Sequence, residues 1–167
     1  MPFRGNRISE EDAGRIVEEH YDDVLAYCRR HAPSWDEAYD ATQETFLRFI
    51  RSLPSYQDQG KPLAFLLTIA RGVCIDACRR QSASCEPLRD DIPSPQDGKA
   101  SDLHMALGEL PPEQREVLEL RYDQGLRVYE VARVLGISRF SAARRISAAL
   151  EALRSMLGID DTEGGAL

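Results

Sequence analysis

Apolar residues recur at steps of three and four along most of the chain, which predicts a series of amphipathic helices. The clearest case is residues 34–53, where one stripe contains Trp35, Ala38, Tyr39, Thr42, Phe46, Phe49, Ile50 and Leu53. Ser34 stands three residues before Glu37, which is the spacing of a capping box, so the helix is predicted to begin there. The opposite face mixes acidic groups, an amide and a leucine, a composition that suits a protein partner as well as water: Asp36, Asp40, Gln43, Glu44, Leu47 and Arg51.

Two further helices flank this one in the sequence. The first is predicted to begin at Ser9, and its apolar face contains Ile16, Val17, Tyr21, Val24, Leu25 and Cys28. The second is predicted to begin at Pro62, and its stripe contains Leu63, Leu66, Leu67, Ala70, Val73, Cys74, Ala77 and Cys78. The sequence therefore predicts a helical domain over residues 1–81.

Residues 82–101 contain Ser, Pro, Asp and Gly without periodicity, which is typical of a linker. Helical patterns return over residues 102–157, which predicts a second domain. Within it, Ala132 is small where two helices would cross, and Gly136 follows four residues later at the turn of a helix-turn-helix. The fold class expected is all-α, with two small helical domains joined by a flexible linker and a disordered acidic tail over 158–167.

Charge is distributed unevenly along the chain. The net charge is −7, whereas residues 127–157 hold six Arg and two Glu, a local charge of +4. A free DNA-binding protein is usually basic, because its affinity comes largely from phosphate contacts. We therefore expect DNA binding that depends on a partner, or on removal of a mask.

No apolar run of 18 residues and no signal-peptide pattern is present in the sequence, so a cytoplasmic protein without membrane insertion is expected. Cys74 and Cys78 are four residues apart on an apolar stripe, and no C-x-x-C motif exists. Buried structural thiols are the favoured interpretation, with a thiol-redox or metal role for this pair as the alternative. No cofactor is expected.

Three segments together resemble a known family. They are DATQETF at 40–46, IARGVCIDACRR at 69–80 and ALGELPPEQREVLELRY at 106–122. They are similar to the extracytoplasmic-function (group IV) sigma factors, subunits that give bacterial RNA polymerase its promoter specificity. The resemblance covers roughly residues 10–157. It implies a transcription initiation factor, not an enzyme, whose partners are core RNA polymerase, promoter DNA and an anti-sigma factor.

The resemblance also implies roles for particular residues of the first domain. Docking on the β′ clamp helices of polymerase would fall to Asp40, Gln43, Glu44, Phe46 and Leu47. Reading and opening of the −10 element would fall to Tyr56, Gln57, Asp58, Phe65, Arg71, Asp76, Arg79 and Arg80. Phe65 and Gly72 stand where the family usually has Trp and Asn, which leaves the −10 sequence preference open.

In the second domain, the resemblance implies that the helix after Gly136 reads the −35 element. The residues involved would be Arg139, Phe140, Ser141, Arg144 and Arg145. The family commonly has GTVKSR here, and only Arg145 is identical, so the base contacts cannot be transferred. Two other functions stay open at this point: a stand-alone helix-turn-helix regulator, and a sigma-like interaction protein that does not read promoters.

Overall fold

The computed structural model describes residues 7–81 and 98–159, and the chain divides into two compact units, Met1–Asp90 and Asp91–Leu167. Every regular element within the described ranges is helical. The predicted tail residues 160–167, the linker residues 82–97 and Cys85 lie outside those ranges. No helix in the described part of the chain is long and apolar enough to cross a membrane.

The first unit consists of α1 (Glu10–His31), α2 (Trp35–Ser52) and α3 (Pro62–Arg80). Both predicted serine caps are present: Ser9 Oγ accepts from Asp12 N at 3.1 Å, and Ser34 Oγ accepts from Glu37 N at 3.2 Å. The Ser9 hydrogen bonds hold the pKa of Asp12 below its usual value, and its carboxylate lies at the positive end of α1. α1 and α2 therefore begin where a serine side chain accepts from a backbone N–H of the first turn, whereas α3 begins at Pro62 without a side-chain cap.

The core of the first unit lies where the three helices meet. Its most completely buried large side chains are Val24, Tyr27, Phe49, Leu66 and Leu67. Most of the predicted α3 stripe is buried, as expected. The predicted α2 stripe was too wide, because Trp35, Tyr39 and Ile50 are 43–50% exposed. Neighbouring helices cover only the part of that stripe that includes Ala38, Thr42, Phe46 and Phe49.

The second unit begins with α4 (Gly98–Glu109), so its first helix starts inside the segment 82–101 predicted as linker. Residues 98–101 are Gly, Lys, Ala and Ser, and they contain no large apolar side chain that would have revealed the helix. Next come α5 (Pro112–Leu118), a π-helical turn (Glu119–Asp123), α6 (Val128–Leu135) and α7 (Arg139–Met156). The fully buried side chains of this unit include Val117, Leu120, Val131, Ala142 and Ala149.

Two local features stabilise the connections between helices in the second unit. Gly136 ends α6 with φ of 66°, the left-handed conformation predicted for the turn. The guanidinium of Arg115 donates to the carbonyls of Leu107, Gly108 and Leu110 at 3.0, 2.8 and 3.0 Å. Because Pro111 and Pro112 have no backbone N–H to donate, Arg115 supplies the donors that the end of α4 lacks.

Candidate functional site

A groove of about 990 Å³ is lined by residues of α2 and α3 in the first unit. Its α2 wall contains Asp40 and Glu44, and its α3 wall contains Asp76, Arg79 and Arg80. The structure therefore brings two of the predicted docking residues beside three of the predicted −10 residues. At the end of the groove, Gln81 Nε2 donates to Glu37 Oε1 at 2.8 Å, which ties the end of α3 to the start of α2.

The outer face of α2 carries a continuous exposed stripe. Asp40, Gln43 and Leu47 are exposed and stand three and four residues apart, so they share one side of the helix. Ile50 extends the same stripe and is 50% exposed, close to the 47% of Leu47. The sequence pattern had placed Ile50 in the core. Its spacing of three residues from Leu47 was the signal that could have placed it on this surface.

Two of the predicted docking residues are already engaged inside the first unit. Phe46 is 6% exposed, and its ring stacks on Tyr21 with centroids 5.8 Å apart, so it supports α2 from the core and has almost no surface to offer a partner. Glu44 Oε1 accepts from Arg48 Nε at 2.7 Å. That hydrogen bond is the main reason that the pKa of Glu44 lies below its usual value.

The loop between α2 and α3, which contains the predicted −10 residues Tyr56, Gln57 and Asp58, is organised around a cluster of three aromatic rings. The ring of Tyr56 lies 4.8 Å from that of Phe65 and 5.5 Å from that of Phe49, and Tyr56 is 8% exposed. Asp58 Oδ1 accepts from the backbone N–H of Gly60 at 2.8 Å, which fixes the turn. The side chain of Gln57 is exposed. In this structure Tyr56, one of the residues predicted to bind the −10 element, therefore packs against two other aromatic rings.

Of the predicted −10 residues on α3, Asp76, Arg79 and Arg80 are exposed, and Arg71 and Phe65 are half-buried. Arg79 and Arg80 occupy the last turn of the helix, where their positive charges also interact favourably with the negative end of the helix dipole. Gly72 is exposed, and nothing lies within 4 Å of where its Cβ would be. The exposed side of α3 thus presents two arginines at its C-terminal end and, at Gly72, a position without a side chain near its middle.

The helix-turn-helix of the second unit presents the start of α7 to solvent. Ser138 Oγ accepts from Ser141 N at 3.1 Å and so caps α7, and the two hydroxyl oxygens are 3.0 Å apart. Phe140 is 71% exposed, and Arg144 and Arg145 are exposed along the same helix. Arg139 is also exposed, with its guanidinium 5.6 Å from the ring centroid of Tyr129 on α6.

The three described cysteines do not line the groove. Cys28 and Cys74 are buried, and Cys78 is half-buried with its thiol 3.5 Å from the carbonyl oxygen of His31. Among the described residues, no three His, Cys, Asp or Glu side chains converge as a set of metal ligands. The geometry of these thiols is that of packing groups.

Comparison with known proteins identifies the family to which the chain belongs. Residues 16–84 match the family profile of sigma-70 region 2, and residues 100–153 match that of sigma-70 region 4. The chain is 30% identical to the RNA polymerase sigma factor CarQ of Myxococcus xanthus, over 83% of this chain and 85% of CarQ. The chain belongs to the sigma-70 family. The first unit is thus its region 2 and the second its region 4.

Two further relatives place the chain among the extracytoplasmic-function members of the family. It is 33% identical to BldN of Streptomyces coelicolor, over 78% of this chain and 54% of BldN. It is 30% identical to SigE of Mycolicibacterium smegmatis, over 95% of this chain and 66% of SigE. The chain therefore spans between about half and two thirds of the length of these two sigma factors.

Solved structures share the fold at lower identity. The sigma factor RpoE of Bartonella quintana, solved in complex with the anti-sigma factor NepR, matches with a TM-score of 0.68 at 20% identity, over 90% of this chain and 99% of RpoE. CnrH, solved with the cytosolic domain of CnrY, matches with a TM-score of 0.63 at 23% identity, over 92% of each chain. These likenesses establish the all-α sigma fold that the sequence predicted.

Proposed function

We propose that this protein is an alternative sigma factor that binds core RNA polymerase in the cytoplasm and directs it to promoters with defined −10 and −35 elements. The observation that carries the proposal is the presence of regions 2 and 4 in one chain, in family order, each with an exposed surface of suitable chemistry. The protein itself performs no bond chemistry, and nucleotide polymerisation belongs to the polymerase.

Docking on polymerase uses the exposed stripe of α2. Asp40 and Gln43 supply polar contacts that fix orientation, and Leu47 and Ile50 supply apolar surface that is removed from water on binding. Phe46 acts indirectly, because its buried ring holds α2 against α1. Glu44 and its partner Arg48 stand at the edge of this surface, beside the groove.

The −10 element is bound by the exposed side of α3 and by the loop before it. Arg79 and Arg80 neutralise phosphates, which gives affinity without sequence information. Arg71 and Asp76 lie on the same helix, and Gln57 and Asp58 on the loop before it are the polar side chains that would hydrogen-bond an extruded base. Phe65 and Tyr56 support that loop through their ring cluster.

The −35 element is bound by the N-terminal part of α7 in the major groove. Such a recognition helix places its first residues at base edges, and its cations at guanine or phosphate. The exposed side chains Arg139, Phe140, Arg144 and Arg145 meet these requirements, and Ser141 is held at the helix cap. The net charge of −7 fits a subunit that reads promoters chiefly as part of the polymerase complex.

An anti-sigma factor controls the protein by covering the docking surface. RpoE, which shares its fold, was solved in complex with the anti-sigma factor NepR, and CnrH, which also shares it, with the cytosolic domain of CnrY. In this chain, the exposed Leu47 and Ile50 form an apolar surface that either polymerase or an inhibitor can cover, but not both at once. Competition between the two partners would follow from that overlap.

The test of the proposal is transcription in vitro with purified core polymerase, this protein and genomic DNA fragments, with transcript ends mapped. Discrete start sites that require the protein are expected. Binding of DNA fragments without polymerase would instead favour a stand-alone regulator. A stable complex with core that starts no transcription would favour a sigma-like interaction protein.

The docking surface is tested by the double variant Asp40→Ala and Gln43→Ala. Both side chains are exposed, so helicity should not change, and the affinity for core polymerase should fall by about tenfold or more. Glu19→Ala on α1 is the matched control, since it also removes one exposed carboxylate from the same unit. Equal affinities of the wild type and the double variant would refute the docking assignment.

A further inference from the structure

Phe140 is the most exposed large hydrophobic side chain in the described part of the chain, at 71%. It is the second residue of α7, on the helical turn that a recognition helix brings to the base edges. Covering an exposed phenylalanine ring with an apolar group is favourable, because it removes apolar surface from water. The position of the ring therefore favours contact with an apolar group on the DNA.

The helix geometry aims this ring away from the protein. Each residue turns the helix by about 100°, so Phe140, Arg144 and Ser147 fall on the side opposite the buried Ala142 and Ile146. Arg144 is the large neighbour of Phe140 on this side, whereas Ala143, three residues after Phe140, and Ser147, two turns along the helix, are exposed short side chains. The outward face of α7 can therefore enter a groove closely, with the ring of Phe140 at its leading end.

The two neighbouring arginines define the surroundings of the ring. The guanidinium of Arg144 lies 5.8 Å from the centroid of Phe140, within the range of a cation–π contact, and it restricts the orientation of the ring. Arg139 is turned toward α6, where its guanidinium lies near Tyr129. Phe140, and not Arg139, is consequently the first side chain of α7 on the outward face.

The only apolar group on a base edge in the major groove is the 5-methyl group of thymine. We infer that Phe140 is a specificity residue of the −35 interaction, reading one thymine through its methyl group while Arg144 positions the ring. This inference rests on the proposed function, and it adds the base that region 4 of this chain selects. Arg144 is a positioning residue here, and its charge also favours the adjacent phosphates.

The experiment begins with selection of −35 sequences from a randomised promoter library by core polymerase carrying this protein. Each thymine of the selected element is then replaced singly by deoxyuridine, which lacks only the 5-methyl group. We expect one replacement to weaken holoenzyme binding about fourfold, the loss of one buried methyl group at about 0.8 kcal/mol. The other replacements should have no effect.

Two variants assign that effect to the ring. Phe140→Ala should bind thymine and deoxyuridine promoters equally, and Phe140→Leu should retain part of the discrimination because its side chain is still apolar. Arg145→Ala is the matched control: it should weaken binding to every sequence and keep the fourfold preference. Helicity measured by circular dichroism checks that each variant is folded.

The possible outcomes separate the inference from the function on which it rests. If transcription starts depend on the protein but no thymine is methyl-sensitive, or if Phe140→Ala keeps the sensitivity, the inference is wrong and the sigma activity stands. The same holds if selection returns no thymine in the −35 element. If no complex with core forms, both the proposed function and the inference fail.

Discussion

Tyr56→Ala should lower the free energy of unfolding of region 2 by about 3–5 kcal/mol, the usual cost of truncating a buried aromatic ring. The side chain is 8% exposed and touches the rings of Phe49 and Phe65, and aromatic pairs add about 0.5–1.5 kcal/mol beyond the area that they bury. Tyr56→Phe keeps the ring and removes a hydroxyl that lies 3.5 Å from Asp58, so its cost should be below about 1 kcal/mol.

The assay is urea denaturation followed by tryptophan emission. Trp35 is the only tryptophan of the chain and begins α2, so its emission reports on region 2. The guanidinium of Arg29 lies 4.6 Å from its ring, and unfolding separates the two groups, which changes the emission. If Tyr56→Ala cost less than about 1 kcal/mol, the ring would not be packed in solution, and it would be available to stack on an extruded base.

Three further predictions concern single contacts. Gly72→Ala should stabilise α3 by about 0.5–1 kcal/mol because the space beside Gly72 is open. Gly136→Ala should instead destabilise the protein by about 1 kcal/mol or more because φ at Gly136 is positive. Thermal unfolding should show a higher unfolding temperature for Gly72→Ala and a lower one for Gly136→Ala. Arg115→Ala should cost about 1–3 kcal/mol and Arg115→Lys somewhat less, seen as faster hydrogen exchange in residues 102–118. The lowered pKa of Glu44 means that its hydrogen bond to Arg48 stabilises the folded protein at neutral pH. This contribution disappears as the pH falls through that pKa. The free energies of unfolding of the wild type and Glu44→Gln should therefore become equal in acid.

Each of these three has an outcome that would contradict it. Equal effects of the two glycine substitutions would mean that backbone conformation does not govern them. Unchanged exchange in Arg115→Ala would show that water replaces the guanidinium at no cost. A difference between wild type and Glu44→Gln that persists in strong acid would show that the carboxylate charge is not its source.

Features that depend on a few consecutive residues could be predicted from the sequence. Ser9, Ser34 and Ser138 cap their helices because the donor and the acceptor are three residues apart. Gly136 takes the left-handed turn because that conformation is a property of the residue itself. The family resemblance, confirmed by the matches to regions 2 and 4, rested on similarly short segments.

Features that depend on which helix lies opposite could not be predicted in this way. Trp35, Tyr39 and Ile50 obey the same periodicity as Phe49, yet α1 and α3 cover only Phe49. Tyr56 stands in the loop between α2 and α3, and Phe49 and Phe65, one from each of these helices, pack against its ring. Local periodicity identifies a face, and the neighbouring helices decide how much of that face is buried.

The three hydrogen bonds that Arg115 donates limit where insertions and deletions can occur in this chain. One guanidinium satisfies three carbonyls from a single position on α5. A one-residue insertion between Pro112 and Arg115 would turn that position by about 100° and shift it by about 1.5 Å along the helix, so all three hydrogen bonds would be lost together. Insertions and deletions among homologues should therefore avoid this short connection.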